Sequence, residues 1–239
     1  MKRKTKLGGF IKFLLVIIIV FFCINKFKGL YLENFQQNST GEYVSEPTNT
    51  NLLKNTDDDL ILVNKKNTVG ADYIPKDLIK PNITFLSSCT KEEMQLQSKA
   101  AHALEELFEG AKEDGIILLG SSGYRSYQSQ VSVYQKYYNE NGKEYAEQYV
   151  AKPGTSEHQT GLAIDVTNQS RCFDKTSEEA QWIAKNEYKY GFILRYPEEK
   201  TDITGYNYEP WHIRYVGKKV AAEIYNNSET LEEYLQNHS

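Results

Sequence analysis

Apolar residues recur along this chain with two periods, one typical of helices and one typical of strands. A capping-box pattern at Thr90 and Glu93 precedes apolar positions at helical spacing, which predict a helix ending near Gly115. A continuous apolar run over residues 116–119 predicts a short buried strand, and four other short segments are also predicted as strands. The predicted helices cover about residues 94–115, 127–138, 176–190, 217–226 and 230–236, and the predicted strands cover residues 60–63, 116–119, 161–166, 191–196 and 211–216. Because helices and strands mix without regular alternation, we predict an α+β domain over a small, mainly antiparallel sheet with flanking helices.

The first thirty residues differ from the rest of the chain in charge and hydropathy. They contain seven Lys and Arg and no acid, and an apolar run over residues 13–24 is extended backwards by Phe10 and Ile11. About 20 residues are needed to span a bilayer, so the run is marginal, although Lys12 and Lys26 can reach the headgroups. We predict one N-terminal transmembrane anchor that contacts the membrane through residues 10–25. No small-x-small site follows the run, which argues against a cleaved signal.

The remaining sequence suggests where the parts of the chain lie. The heavier cationic end stays in the cytoplasm, so we expect a single-pass protein of the cell membrane with its folded domain outside the cell. Residues 1–28 form the cytoplasmic basic start and the anchor. Residues 29–56 are polar and lack apolar periodicity, which is typical of a flexible extracellular stalk. Residues 57–239 form the folded domain.

Charge and cysteine content narrow the classes of partner and metal ligand. Subtracting the seven basic residues of the start from 28 Lys and Arg leaves 21 against 32 Asp and Glu. A domain this acidic has no general attraction for a phosphate backbone, so we expect no nucleic-acid partner. Cys23 belongs to the anchor, whereas Cys89 and Cys172 could form a disulfide or remain two free thiols. Because no C-x-x-C occurs, cysteine is not the expected metal ligand.

Two histidines stand in polar segments that suggest metal binding. His158 precedes a predicted strand that contains Asp165, and an imidazole nitrogen and a carboxylate oxygen can both bind zinc. A structural hydrogen bond between these two side chains is the alternative. His212 would supply a third ligand and leave a fourth position for water. Glu209, three residues away, could act on that water as a general base, unless it is merely solvated.

Arg125 lies in a loop directly after a predicted buried strand. Catalytic groups collect in such loops, and a guanidinium offers fixed donors to a developing oxyanion or to a substrate carboxylate. An arginine that is merely exposed on a loop is the alternative. Of the other histidines, His102 falls within the first predicted helix and His238 within the last two residues. We expect neither of them in the site.

Taken together, three ordered segments resemble the zinc D-Ala-D-Ala carboxypeptidases of the VanY type. The segments are Gly123-Tyr-Arg125-Ser, Ser156-x-His158-x-x-Gly161-x-Ala163-x-Asp165 and Glu209-x-Trp211-His212-x-Arg214. The resemblance runs from about residue 60 to residue 236 and implies the fold shared by these DD-peptidases and the Hedgehog signalling domain. By motif position it implies one zinc ion per chain with ligands His158, Asp165 and His212, the base Glu209, the transition-state donor Arg125, and substrate contacts from Ser156 and Gln130.

The resemblance also implies an activity. It is the removal of the terminal D-alanine from peptidoglycan precursors or stem peptides that end in D-Ala-D-Ala. Such an activity would contribute to glycopeptide resistance and would be insensitive to penicillin. Stem peptides are expected as substrates rather than the free dipeptide.

Three alternatives stay open at this stage. L,D-carboxypeptidases and some peptidoglycan endopeptidases share the same zinc motifs. Ser88 and Lys91 match the S-x-x-K pattern of a serine carboxypeptidase, although no K-T-G follows. A cell-wall-binding module could also retain the zinc site without catalysis.

Overall fold

The computed structural model describes residues 58–238. The predicted anchor, residues 1–28, and the predicted stalk, residues 29–56, lie outside the described residues. Between residues 58 and 238, no helix combines the length and the apolar character that a membrane span requires. The anchor and the stalk therefore stay predictions.

The described residues form short strands and helices of four to sixteen residues, without regular alternation. The strands are β1 Leu78–Ile79, β2 Leu96–Gln97, β3 Leu119–Ser122, β4 Ala163–Thr167, β5 Phe192–Leu194 and β6 His212–Tyr215. The α-helices are α1 Ser98–Glu113, α2 Tyr127–Asn141, α3 Lys143–Tyr149, α4 Glu178–Asn186, α5 Thr201–Thr204, α6 Lys218–Asn227 and α7 Leu231–Asn237. Single 3-10 turns cover Asp58–Leu60, Glu157–Thr160 and Glu187–Tyr190.

A four-stranded antiparallel sheet brings distant segments together, with the strand order β3-β4-β6-β5. In the pairing of β4 with β6, Asp165 lies opposite His212 and Ile164 lies opposite Ile213. Side chains alternate between the two faces of a strand, so Asp165 and His212 share one face and the two isoleucines share the other. The predicted α+β class with a small antiparallel sheet is confirmed.

The apolar face of this sheet belongs to the main core. Ile164 and Ile213 are fully buried in the same cluster as Leu104 and Leu107 from α1. Burying such a side chain contributes roughly 1.5–3 kcal/mol. The helical periodicity of α1 therefore serves to cover one face of the sheet, and the polar groups are left on the other.

The prediction of a strand over residues 60–63 was wrong. Ile61 and Val63 are buried in the main core, but within residues 58–238 no strand pairs with them. The carbonyl oxygens of Asp59 and Ile61 instead accept hydrogen bonds of 3.0 and 2.9 Å from the Arg214 guanidinium. A side chain thus satisfies backbone groups that a neighbouring strand would otherwise satisfy.

Several other helices and strands begin or end at residues that differ from the predicted ones. Thr90 and Glu93 make the reciprocal capping-box bonds, but these close an isolated turn, and α1 begins only at Ser98 after β2. The strand predicted from residue 116 begins at Leu119, and the helix predicted to run to residue 190 changes to a 3-10 turn at Glu187. The two-stranded pair β1–β2 and the helices α3 and α5 were not predicted.

Candidate metal centre

His158 is presented by the 3-10 turn Glu157–Thr160, which ends at Gly161 with a φ of 67°. A side chain at Gly161 would be strained at this φ and would lie 2.9 Å from Leu78. The Nδ1 atom of His158 is 2.8 Å from the carbonyl oxygen of Gly123. Because a carbonyl can only accept, Nδ1 carries the hydrogen and Nε2 keeps its lone pair. Nε2 lies 3.5 Å from Oδ2 of Asp165.

His212 meets the same carboxylate from the neighbouring strand. Its Nδ1 is 3.1 Å from Oδ1 of Asp165, and its Nε2 is 3.4 Å from Oε2 of Glu157. The rings of His158 and His212 meet edge to face, with their centroids 5.0 Å apart. Both imidazoles therefore converge on Asp165.

The electrostatic environments of the two imidazoles differ. Burial lowers the pKa of His158 to about 3, which keeps the ring neutral, as a metal ligand must be. Burial also acts to lower the pKa of His212, but hydrogen bonds to Asp165 and Glu157 outweigh it and raise the pKa to about 9. A metal ion that binds His212 must therefore displace a proton.

The donor set of this site suits zinc. His158, Asp165 and His212 each offer one ligand atom, and these atoms lie within 4.8 Å of one another. Tetrahedral zinc with ligands at about 2.0–2.1 Å needs ligand atoms about 3.3 Å apart. The two imidazole nitrogens lie 3.1 Å from Oδ1 and 3.5 Å from Oδ2 of Asp165, each close to that separation. Three mixed nitrogen and oxygen ligands also match the composition of catalytic zinc sites.

A cavity of about 560 Å³ opens directly above these three side chains. Glu209, Arg125, Ser156 and Gln130, all predicted as site residues, line it together with the metal-site residues. Burial raises the pKa of Glu209 to about 7, and the negative charges of Asp165 and Glu157 act in the same direction. The structure thus gathers every predicted site residue around one cavity.

Arg125 is held in place by its neighbours. Its Nη1 donates to Oε1 of Gln130 at 2.7 Å and its Nη2 donates to Oγ of Ser122 at 2.9 Å. The Nε atom is buried and has no hydrogen-bond partner within residues 58–238. Gln130 also donates to the carbonyl oxygen of Ala151 at 2.7 Å, so both ends of its amide already bind protein groups. Its direct contact with substrate stays a prediction.

Sequence reasoning missed a buried group of charges below the metal site. Oε1 of Glu157 accepts from Nε of Arg195 at 2.8 Å and from Nη1 of Arg214 at 2.7 Å. Arg195 also makes a bidentate ion pair with Glu232. Burial alone would raise the pKa of Glu157, but the two guanidiniums hold it well below its usual range. Arginines directly beside apolar strand residues were the sequence signal for this group.

The remaining candidates lie apart from the cavity. His102 is exposed on α1 and pairs with Glu105. Cys89 and Cys172 are both free thiols, which resolves the alternative left open by the sequence. Ser88 and Lys91 are exposed and do not line the cavity, so they offer no support for a serine carboxypeptidase.

Comparison with known proteins agrees with this geometry. Residues 93–218 match the family VanY, D-alanyl-D-alanine carboxypeptidase. The chain belongs to this family. The protein YodJ of Bacillus subtilis (strain 168) is 42% identical over 189 residues, which cover 77% of this chain and 69% of YodJ.

Two solved structures also resemble this member of the VanY family. The structure of the LdcB LD-carboxypeptidase matches with a TM-score of 0.69 at 43% identity. The match covers 73% of this chain and 84% of the LdcB chain. A zinc complex of a variant of the vancomycin-resistance D,D-pentapeptidase VanY matches with a TM-score of 0.64 at 37% identity. This match covers 75% of this chain and 99% of the VanY chain. The chain is thus a zinc metallocarboxypeptidase.

Proposed function

We propose that this chain is a D,D-carboxypeptidase that removes the C-terminal D-alanine from peptidoglycan stem peptides ending in D-Ala-D-Ala. The observation that carries the proposal is that one cavity is lined by the three candidate zinc ligands, the half-buried carboxyl group of Glu209 and the fixed guanidinium of Arg125. The match of residues 93–218 to the D-alanyl-D-alanine carboxypeptidase family supports the substrate class.

In this proposal His158, Asp165 and His212 hold the zinc ion and Glu209 is the general base. Zinc, when bound, supplies a Lewis acid and lowers the pKa of water. Glu209 accepts a proton from the attacking water, whose oxygen adds to the carbonyl carbon of the penultimate D-alanine. The carbon–nitrogen bond then breaks, and Glu209 returns the proton to the leaving amine.

Arg125 is proposed to stabilise the charge that develops on the carbonyl oxygen. Gln130 and Ser122 hold its two terminal nitrogens, and its buried Nε lacks a partner in the described part of the chain. A donor that is already oriented costs no reorganisation during the reaction. We propose that Ser156, buried at the cavity wall, contacts the substrate directly.

The shape of the cavity supports a stem peptide rather than a free dipeptide as substrate. Tyr137, Tyr145 and Tyr149 line it beyond the metal site. The ring centroids of Tyr137 and Tyr145 are 6.3 Å apart, and those of Tyr145 and Tyr149 are 4.6 Å apart. Only the acyl side of a carboxypeptidase substrate lengthens with the peptide, so this aromatic wall is available to the residues that precede the cleaved bond.

L,D cleavage is the second candidate, because LdcB is an LD-carboxypeptidase and is 43% identical to this chain. Release of D-alanine from a pentapeptide, a tetrapeptide and the dipeptide, each with and without a chelator, separates the candidates. We expect chelator-sensitive release mainly from the pentapeptide and no inhibition by penicillin. Preferential release from the tetrapeptide would refute D,D specificity, and chelator-resistant release would refute the metal mechanism.

Replacement of Glu209 tests the base directly. Glu209→Gln should lower kcat by about 10²–10⁴, the usual contribution of general acid–base catalysis, while zinc stoichiometry stays unchanged. The matched control is Glu198→Gln, since Glu198 is exposed and pairs with Lys175. Wild-type turnover in Glu209→Gln would eliminate this residue as the base.

We also propose that residues 10–25 anchor the enzyme in the cell membrane with its catalytic domain outside, where stem peptides occur. The basic start and apolar run of the sequence support this location. In a host whose precursors end in D-Ala-D-Ala, expression should raise resistance to glycopeptides. Membrane fractionation and protease accessibility on intact cells test the location, and recovery of the whole chain from the soluble fraction would contradict it.

A further inference from the structure

Glu157 lies between Ser156 and His158 in the lining of the cavity, yet its side chain is fully buried. Arg195 and Arg214 both donate to one of its oxygens, Oε1, at 2.8 and 2.7 Å. The other oxygen, Oε2, is 3.4 Å from Nε2 of His212. Because two fixed guanidiniums hold one end of the carboxyl group, its second oxygen is directed at the imidazole.

The charges around Glu157 determine which imidazole nitrogen carries hydrogen. Beside two buried guanidiniums Glu157 is a carboxylate, and a carboxylate can only accept hydrogen bonds. The facing Nε2 of His212 must therefore carry the hydrogen, which leaves the lone pair of a neutral ring on Nδ1. Nδ1 lies 3.1 Å from Oδ1 of Asp165, so these two atoms become two facing acceptors once the ring has released its second proton. Two acceptors at this distance suit a cation that both of them contact.

We propose that Glu157 is a positioning residue that fixes the tautomer and ring orientation of His212, so that Nδ1 faces the metal. The inference rests on the proposed zinc ligands. It also means that the two histidines bind the metal through different ring nitrogens. His212 uses Nδ1, whereas His158 uses Nε2, because its Nδ1 donates to the Gly123 carbonyl. Carboxylates that accept from a ligating imidazole commonly act in this way.

The effect of Glu157→Gln follows from the donors around it. The amide oxygen of glutamine would satisfy the two guanidiniums, so its NH2 group would face Nε2 of His212. A donor opposite Nε2 favours the tautomer with hydrogen on Nδ1, which would then donate to Asp165. Nδ1 would no longer be free for metal, and zinc affinity should fall about 10–100-fold.

Competition with a chromogenic chelator measures the zinc dissociation constant of the full chain without relying on activity. The matched control is Glu232→Gln, because Glu232 pairs with the same Arg195 at 2.7 and 2.8 Å but does not contact His212. We expect the 10–100-fold loss only in Glu157→Gln. Unchanged affinity in that variant, or an equal loss in both variants, would overturn the proposal.

A second measurement needs no substitution and remains informative if the variants fail to fold. Long-range ¹H–¹⁵N spectra of the zinc-loaded wild-type protein should show His212 with metal on Nδ1 and hydrogen on Nε2. Zinc on Nε2 of His212 would overturn the role of Glu157 and leave the ligand set intact. A His212 ring without metal on either nitrogen would overturn the proposed ligands themselves.

Discussion

A buried carboxyl group that does not line the cavity should make the stability of this domain depend on pH. Glu187, at the start of the 3-10 turn after α4, is only 4% exposed. Its Oε2 has no hydrogen-bond partner in the part of the chain that the structure describes. Burial raises the pKa of Glu187 to about 8 and outweighs the opposing hydrogen bonds from nearby backbone N–H groups. The folded state therefore retains a proton that the unfolded chain has lost at neutral pH.

The sign and size of the effect follow from proton linkage. The usual pKa of this carboxyl is 4.5 and its folded pKa is about 8, so the favourable contribution is complete below pH 4.5 and is lost as pH rises toward 8. Across that window the free energy of unfolding should fall by about 1.4 kcal/mol per pH unit from this group alone. Glu187→Gln keeps the shape of the side chain and removes the titration. Between pH 5.5 and pH 7.5, the variant should gain roughly 3 kcal/mol relative to the wild type.

Urea denaturation followed by fluorescence of the chain's two tryptophans, repeated across this pH range with chelator present, measures the difference. The control is Glu178→Gln, an exposed position in α4, whose stability should parallel that of the wild type at every pH. If the Glu187→Gln profile also ran parallel to the wild type, Glu187 would be ionised in the folded protein. The burial argument would then be refuted.

Three further substitutions test the site and its support. Arg125→Lys should lower kcat by about 10²–10³ with zinc binding intact, measured by steady-state kinetics, because a lysine cannot reproduce the fixed guanidinium donors. Gly123→Ala should destabilise the fold by about 1–3 kcal/mol in urea titrations, since a Cβ there would lie 2.6 and 2.8 Å from two backbone carbonyl oxygens. Tyr149→Ala should reduce kcat/KM for the pentapeptide more than for the dipeptide, whereas Tyr138→Ala, which lies outside the cavity lining, should affect neither. Equal losses on both substrates in Tyr149→Ala would contradict an acyl-side role for the aromatic wall.

The sequence predicted those elements in which local pattern and tertiary packing agree. The apolar side chains at helical spacing in α1 and the apolar side chains of β4 and β6, such as Ile164 and Ile213, are buried in the main core as the pattern indicated. The strand predicted over residues 60–63 failed because its apolar side chains are buried but its backbone bonds to the Arg214 guanidinium rather than to a strand. Helix α3 was missed because, among its seven residues, Ala146 is the one that is buried, which leaves no apolar stripe to detect.

The sequence indicated which residues form the candidate site, but not which groups those residues contact. Motif spacing indicated His158, Asp165 and His212, and strand register explains why two of them meet, since Asp165 lies opposite His212. A one-residue slip of that register would turn one of the two side chains to the apolar face and dismantle the site. Spacing carries no information on the partner of each second ring nitrogen, because those partners come from the Gly123 carbonyl and from a buried carboxylate.

The two histidines differ in the group that bonds to the ring nitrogen facing away from the metal. The Gly123 carbonyl is part of the backbone, so its hold on Nδ1 of His158 survives any substitution that preserves the local fold. The hold on Nε2 of His212 depends instead on the charge of a single side chain, Glu157, which Arg195 and Arg214 keep ionised and oriented. Zinc affinity should therefore be more sensitive to conservative changes around His212 than around His158. The arginines that orient Glu157 are buried and do not line the cavity. Variants of Arg195 should therefore reduce zinc affinity more than they reduce substrate binding.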